Sequence, residues 1–217
     1  MSLDSVIGMN RDVWVFAEHK EGEFAQVTFG LLGEGRRLCK RWTEGALAAI
    51  VLGSGMAGCA DALGPYGAER VYVLEHESLI NHSPETAATL IADFARQRSP
   101  SLILFAATST GSDLAARVAA ILRTALVTHC VDIRVEADKR LEFVKAVSDE
   151  MLYATVRSAV DGVQVATIAT DVMEFEDPDD AMRIEAVEVL HPASGSSTRL
   201  RTLEVIKGDP KTFDKFF

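Results

Sequence analysis

The stretch that decides the fold is LILFAATSTGSDLAARVAAIL, residues 102–122. It begins with five apolar residues that do not alternate with polar ones, a pattern typical of a parallel strand covered on both faces. A polar turn that contains Thr108 and Gly111 interrupts this run. Apolar residues then recur at helical spacing, as Leu114, Val118, Ile121 and Leu122. The stretch predicts strand, turn and helix, with the turn at the carboxyl edge of a sheet, where open α/β folds bind ligands.

Asp113 and Arg117 lie near the start of this predicted helix and are four residues apart. Side chains at that spacing share one helix face, so the two can form an ion pair. Thr110 and Asp113 also have the spacing of a capping box, with Asp in place of the usual Glu. Both features are common on ordinary helices, so the spacing alone favours a structural role.

Strands alternate with helices along the first part of the chain. The predicted strands are residues 13–17, Leu47–Leu52, 71–74 and Leu102–Ala106, with a short extra strand in a hairpin at 24–28. The predicted helices are residues 29–42, 56–63, 84–98 with Ser83 as N-cap, and one that begins near Gly111. Helical connections between strands require parallel pairing with right-handed crossovers. We therefore expect a three-layer, Rossmann-like α/β fold with a mostly parallel sheet.

The pattern changes after residue 122. Predicted strands at residues 132–136, 141–147, 151–158 and 164–169 are joined by short turns, which indicates a largely antiparallel addition at one side of the sheet. The acidic stretch EFEDPDD at 174–180 then predicts a linker. We expect an α/β domain over residues 1–175 and a linker with a carboxy-terminal extension over 176–217. Possible strands at 184–190 and 200–206 lie in that extension, and Phe213, Phe216 and Phe217 suggest a contact surface for a partner or a second copy.

Composition excludes several function classes. The formal net charge is −10, which argues against binding to nucleic acid. No apolar run approaches the roughly 20 residues that span a bilayer, and the first residues do not resemble a secretory signal.

Cys39, Cys59 and Cys130 are far apart and form no CxxC pair, which favours inert thiols in the cytoplasm. His76 and His82 fit no standard metal site, so we expect them in a solvated loop.

A glycine-rich turn follows the second long strand. Gly53, Gly55 and Gly58 formally match GxGxxG, and Glu75 lies at about the expected distance for the acidic residue of a dinucleotide site. A lone match of this kind is weak, and a tight turn that needs glycine backbone angles explains Gly53, Ser54 and Gly55 equally well. The chain has no Walker A loop, no GxSxG and no HExxH motif, so hydrolase chemistry lacks support.

Several segments together resemble the amino-terminal domain of the electron transfer flavoprotein alpha subunit. They are VWVFAEHKEG at 13–22, LLGEGRRL at 31–38, LGPYGAERVYVLEH at 63–76 and ATSTGSDLAARVAAILRTALVTHCVDI at 107–133, within a match that covers residues 13–175. The sequence departs from the family pattern at Ser112, where arginine is usual, and at Ala116, where proline is usual. KAVSDEM at 145–151 also lacks the family's paired glycines. The resemblance implies a fold of the adenine-nucleotide-hydrolase-like type.

The resemblance also implies a role. A domain of this kind is a scaffold that pairs with a beta subunit in a heterodimer and supports electron transfer from dehydrogenases, rather than a catalyst. The family's FAD is held by a carboxy-terminal domain that has no counterpart here, so we expect this chain alone not to bind FAD tightly, and to be colourless. The family keeps an acid and a base at Asp113 and Arg117, which suggests a contact with the partner subunit or the flavin domain.

Two other classes stay open at this point. The first is an adenine-nucleotide-binding module without a redox role, which would hold AMP or a related nucleotide at the strand ends. Its candidate residues are Gly53, Ser54, Gly55, Thr108 and Gly111. The second is a small stand-alone enzyme, which nothing in the sequence favours. The isolated chain could also form a homodimer.

Overall fold

The computed structural model describes residues 12–20, 22–42, 45–75, 79, 83–147, 152–159, 162–175 and 177–191. The strands are β1 Val13–Phe16, β2 His19–Lys20, β3 Glu23–Phe24, β4 Leu47–Leu52, β5 Arg70–Leu74, β6 Leu102–Ala106, β7 Leu126–Val135, β8 Leu141–Val147, β9 Leu152–Arg157, β10 Gln164–Ile168 and β11 Ala186–Leu190. The helices are α1 Gln26–Trp42, α2 Pro84–Arg98 and α3 Ser109–Leu122, with 3-10 helices at Met56–Tyr66 and Thr170–Val172.

Within the described residues, nine strands form one sheet in the order β11-β5-β4-β1-β6-β10-β7-β8-β9, and β2 and β3 form a separate hairpin. All neighbouring strands from β11 to β7 are parallel, whereas β7–β8 and β8–β9 are antiparallel. The predicted α/β class with a mostly parallel sheet and added antiparallel strands is confirmed. The long strands β4 and β6 have the predicted bounds because each is an apolar run with no polar residue inside it.

Side chains of each central strand point alternately into two cores. Val13 and Val15 pack with α1 and the first 3-10 helix, whereas Trp14 and Phe16 pack with α2 and α3. The rings of Trp14 and Phe94 stack with their centroids 4.9 Å apart. Helices therefore cover both faces of the sheet and give the three predicted layers.

The prediction of a strand at residues 24–28 is wrong beyond Phe24, because α1 begins at Gln26. Thr28 lies in the first turn of α1, and its hydroxyl donates to the Glu18 carbonyl oxygen at 2.9 Å. Tertiary contacts have here outweighed the strand preference of residues such as Thr28. Gly35, which weakens an isolated helix, has a packing role: a Cβ at that position would lie 2.5 Å from Leu47 Cδ1.

The antiparallel block is smaller than predicted. β10 does not belong to it, because it lies between β6 and β7 and is parallel to both. β7 is irregular near His129, whose φ is +57°, and its pairing with β8 shifts register between Cys130 and Asp132. The Arg37 side chain of α1 binds Asp132 Oδ1 at 3.1 Å and the Ile133 carbonyl oxygen at 3.2 Å. These contacts hold β7, and with it the antiparallel part of the sheet, against α1.

The chain crosses α1 after β10 and ends, within the described residues, at the opposite edge of the sheet. Met173 and Phe175 pack against Gly30, where a Cβ would lie 3.0 Å from each side chain. The Asp179 N–H then donates to the Pro65 carbonyl oxygen at 2.9 Å, and β11 pairs with β5.

The predicted strand at 184–190 is confirmed for residues 186–190. The predicted strand at 200–206, the three carboxy-terminal phenylalanines, and His76 and His82 lie outside the described residues. The division of the chain after residue 175 stays a prediction. Among the described helices, none combines the length and the hydropathy that crossing a membrane requires.

Candidate functional site

The order of the strands reverses direction between β1 and β6. The chain proceeds from β1 to β4 and β5 on one side and then returns to β6 on the other side. Ligands of open α/β sheets bind at such a switch point, outside the carboxyl ends of the strands. Glu18 follows β1 and Thr108 follows β6, so both residues lie at this place.

Thr108 joins the two strand ends. Its hydroxyl donates to Glu18 Oε1 at 2.7 Å and accepts from the Gly111 N–H at 2.9 Å. Thr108 is therefore the N-cap of α3. A Cβ at Gly111 would lie 2.1 Å from the Ala106 carbonyl oxygen and 2.9 Å from Glu18 Oε1. Only glycine allows the first turn of α3 to approach the end of β6 and the Glu18 carboxylate this closely.

Glu18 is half-buried, and its burial raises the pKa of the carboxyl, an effect that the hydrogen bond from Thr108 reduces. Burial disfavours the charged form, so an ionised Glu18 costs stability. The sequence interpretation missed this residue and included it only in the segment at 13–22 that resembles the family. The available signal was an acidic side chain placed directly after the first strand of an α/β fold.

The turn after β4 is built differently. The Gly55 N–H donates to Glu75 Oε1 at 2.9 Å, and His19 Nε2 donates to the Leu52 carbonyl oxygen at 2.6 Å. Gly55 has a φ of +72°, which favours glycine, and a Cβ at Gly53 would lie 2.7 Å from Met56 Cγ. Glu75 thus fixes the turn itself, and a 3-10 helix that contains Pro65 follows instead of a regular α-helix. This geometry favours the tight-turn interpretation of Gly53, Ser54 and Gly55, and a nucleotide at this turn stays a prediction.

Asp113 and Arg117 form the expected ion pair on α3. Arg117 Nε lies 3.0 Å from Asp113 Oδ1 and 2.9 Å from Asp113 Oδ2, and 40% of the Arg117 side chain and 45% of the Asp113 side chain are exposed. The hydrogen bond and charge of Asp113 raise the pKa of Arg117. The expected capping role of Thr110 with Asp113 is wrong, because Thr108 caps the helix and Asp113 pairs with Arg117.

A concave surface lies on α1. A cleft of about 220 Å³ is lined by Gly33, Glu34, Arg36, Arg37, Lys40, Arg41 and Glu174. Its volume is below the range of about 300–1,000 Å³ of most ligand pockets, and its lining is mainly charged. Part of that charge is already paired, since Arg37 lies 2.7 Å from Glu34 Oε2. The cleft is therefore smaller and more charged than a typical cofactor site.

None of the three cysteines is among the residues described at the switch point or in the cleft on α1. Cys39, Cys59 and Cys130 are free thiols. Burial raises the pKa of both Cys39 and Cys130 to about 12, so these two thiols stay protonated and unreactive.

Comparison with known proteins gives the family. A family model described as the electron transfer flavoprotein domain matches residues 13–194. Protein FixB of Clostridium saccharobutylicum is 35% identical over 206 residues, which cover 94% of this chain and 60% of that protein. The electron transfer flavoprotein subunit alpha of Thermoanaerobacterium thermosaccharolyticum is 28% identical over 198 residues, which cover 91% of this chain and 59% of that protein.

A third relative carries a different name. The acryloyl-CoA reductase electron transfer subunit beta of Anaerotignum propionicum is 35% identical over 138 residues, which cover 64% of this chain and 37% of that protein. The chain thus spans about 60% or less of the length of these three relatives. The matches with alpha subunits and FixB confirm the resemblance to the alpha-subunit amino-terminal domain. The chain belongs to the electron transfer flavoprotein family.

Proposed function

We propose that this chain is an alpha-type scaffold that pairs with an electron transfer flavoprotein beta subunit in the cytoplasm. In that complex it would support the passage of electrons from dehydrogenases to an acceptor, without catalysing a reaction itself. The family match over residues 13–194 carries this proposal. Two of the relatives, an alpha subunit and an acryloyl-CoA reductase electron transfer subunit, bear names of the same function class.

The exposed start of α3 is the part of the scaffold that we assign to the partner. Ser109, Thr110, Ser112 and Asp113 are exposed there, and Arg117 lies one turn further along the helix. An exposed ion pair adds little to stability, but the same pair desolvated in an interface counts for more in association. Asp113 and Arg117 are therefore our candidates for a contact with the beta subunit or with a flavin-carrying domain.

FAD belongs to this proposal as a cofactor of the assembled complex. Isoalloxazine sites are normally concave and mainly apolar. The cleft on α1 is small and charged, and the switch point holds the Glu18 carboxylate. We therefore propose that the described part of this chain takes no FAD by itself and that a purified preparation lacks the flavin absorbance bands.

The test is to mix the purified chain with a beta-type subunit and to measure mass by light scattering during gel filtration. A stoichiometric complex supports the proposal, and the absence of any complex contradicts it. A species with twice the mass of the chain, seen without the beta subunit, would instead identify a homodimer. Absorbance spectra of the same fractions report the flavin: a yellow isolated chain with stoichiometric FAD would refute the cofactor assignment.

A further inference from the structure

The cleft on α1 concentrates positive charge in an acidic protein. The formal net charge of the chain is −10, yet most of the residues that line the cleft are basic, namely Arg36, Arg37, Lys40 and Arg41. Arg36 and Lys40 are four residues apart, and so are Arg37 and Arg41. Like charges at this spacing share one helix face and repel each other. The arrangement is therefore unfavourable for α1 by itself.

The described part of the chain neutralises this charge only partly. Glu34 also lines the cleft, and its Oε2 lies 2.7 Å from Arg37. Lys40 and Arg41 are exposed, and no acidic side chain among the described residues forms an ion pair with either of them. The helix dipole favours cations in the last turn of α1, where these two lie, but it supplies no counter-ion to their side chains. Within the cleft, Glu174 alone remains to face the two cations.

Gly33 is the second observation that indicates a ligand. Glycine inside a helix is less favourable than alanine, so a structural reason is expected for it. At Gly35 that reason is packing, because a Cβ would lie 2.5 Å from Leu47 Cδ1. At Gly33 a Cβ would meet, among the described residues, only the Glu174 carbonyl oxygen at 3.7 Å, which is an ordinary contact distance. Packing does not require glycine at this position, and a side chain there would occupy part of the cleft that Gly33 lines.

We propose that the cleft on α1 binds a small anion with at least two negative charges, of the diphosphate or the di- or tricarboxylate class. Lys40 and Arg41 supply the charge that the described acids do not neutralise. The Arg41 guanidinium is planar, and its N–H groups match the oxygens of a carboxylate or a phosphate. The cleft of about 220 Å³ is smaller than the sites of about 300–1,000 Å³ that hold larger ligands, so a whole nucleotide does not fit.

This site is separate from the surface that we assign to the partner subunit. α1 lies between β1 and β4, which are parallel, so the helix returns the chain from the carboxyl edge of the sheet to the amino edge. Lys40 and Arg41 are in its last turn and therefore lie at the edge opposite the start of α3. The inference does not depend on the proposed pairing with a beta subunit.

The experiment is calorimetry of the full chain with pyrophosphate and, separately, with citrate, at constant ionic strength. Acetate is the monovalent control. We expect at least one of the two polyvalent anions to bind with a dissociation constant below about 1 mM, and acetate to give no measurable binding. Tighter binding of pyrophosphate would identify a phosphate-bearing ligand, and tighter binding of citrate would identify a carboxylate ligand; both agree with the proposed chemistry.

Three variants locate the site. Lys40→Gln should lose at least about tenfold in affinity for the anion that binds. Lys20→Gln is the matched control, because it removes the same charge from an exposed position in the hairpin of β2 and β3, and its affinity should not change. Gly33→Gln keeps every charge but places a side chain in the cleft. It should also lose at least about tenfold in affinity, without a fall in melting temperature, because glutamine is more favourable than glycine in a helix.

Four results would overturn the inference. One is that neither polyvalent anion binds the unmodified chain, and another is that acetate binds equally well. The third is an equal loss of affinity in Lys40→Gln and Lys20→Gln, which would reflect only the net charge of the protein. The fourth is unchanged affinity in Gly33→Gln, which would place the anion outside the cleft. If circular dichroism shows that Gly33→Gln does not fold, Gly33→Ala replaces it, and the same outcomes apply.

Discussion

Two turns at the carboxyl edge of the sheet share their components but differ in construction. The turn after β4 contains Gly53 and Gly55. The turn after β6 contains Thr108, and Gly111 lies in the first turn of α3 that follows; a glutamate lies beside each place. Glu75 accepts from a backbone N–H of the first turn, whereas Glu18, which follows β1 and is half-buried, accepts from the Thr108 hydroxyl of the second. Only the second turn leads into a regular α-helix. Glycines and an acidic residue at a strand end therefore do not by themselves indicate a ligand site, because the group that the carboxylate binds decides its role.

The largest expected effect comes from the glycines of these turns. In Gly111→Ala the new Cβ would lie 2.1 Å from the Ala106 carbonyl oxygen, a backbone atom that cannot move away. We expect the free energy of unfolding to fall by about 3 kcal/mol, the upper part of the range for overpacking a tight contact. In Gly55→Ala the Cβ meets nothing within 4 Å, but the φ of +72° is unfavourable for alanine. The expected cost is about 1 kcal/mol.

Urea unfolding of both variants measures the difference. Gly58→Ala is the matched control, because its Cβ also meets nothing within 4 Å and no left-handed angle is involved there. It should lie within about 0.5 kcal/mol of the unmodified protein. Equal costs for Gly111→Ala and Gly55→Ala would show that the close approach at the second turn is not a constraint.

The cap of α3 gives the next largest effect. Thr108→Ala removes the acceptor for the Gly111 N–H and the donor to Glu18 together. We expect a loss of about 1–2 kcal/mol in the free energy of unfolding. Thr110→Ala, two residues further and exposed, should change it by less than about 0.5 kcal/mol. A larger effect at Thr110 than at Thr108 would restore the capping role that the sequence suggested.

A smaller effect, with a distinct pH dependence, is expected for Glu18→Gln. Because burial raises the pKa of Glu18 in the folded protein, the folded state binds the proton more strongly than the unfolded state does. Its contribution to stability is therefore fully present below the unfolded pKa of about 4.3 and is lost as pH rises through the folded pKa. Glutamine stays neutral and can still accept from Thr108, so the variant should be more stable than the unmodified protein at pH 7.

Thermal melts from pH 4 to pH 8 test this expectation. The gain at pH 7 should stay below about 1 kcal/mol, because solvent still screens a half-buried carboxylate, and it should vanish near pH 4. Glu75→Gln serves as the control at the other turn. A Glu18→Gln protein that is less stable than the unmodified one at pH 7 would mean that the charge of Glu18 stabilises the fold.

The contrast between the two turns also shows what sequence patterns can predict. The apolar runs of β4 and β6 and the Ser83-Pro84 start of α2 are local signals, and the structure confirms them with the predicted bounds. The place of β10 is not local, because a run of apolar residues does not say which strands it will lie between. The contact of Glu18 with Thr108 is also not local, because it can be predicted only when the order of the strands is known. Sequence spacing therefore indicated Thr108 and Gly111 as residues of a candidate site, but it could not indicate that Glu18 lies beside them.

The smallest expected effect on stability comes from replacing Arg117. The same change is expected to have a large effect on association with the partner. Its side chain pairs with Asp113 on the exposed face of α3, away from both cores, so Arg117→Ala should leave the melting temperature nearly unchanged. If this face contacts the beta subunit, the same change should weaken the complex more than about tenfold, because a desolvated pair then loses one partner. Arg140→Ala is the matched control: Arg140 Nε lies 3.8 Å from Asp138 Oδ2 in an exposed turn between β7 and β8. A melting curve and a binding isotherm on each variant decide the matter. A clear fall in melting temperature with unchanged affinity would make Arg117 a structural residue of α3. Equal losses of affinity in both variants would show that only the removal of a positive charge matters, not the position of Arg117.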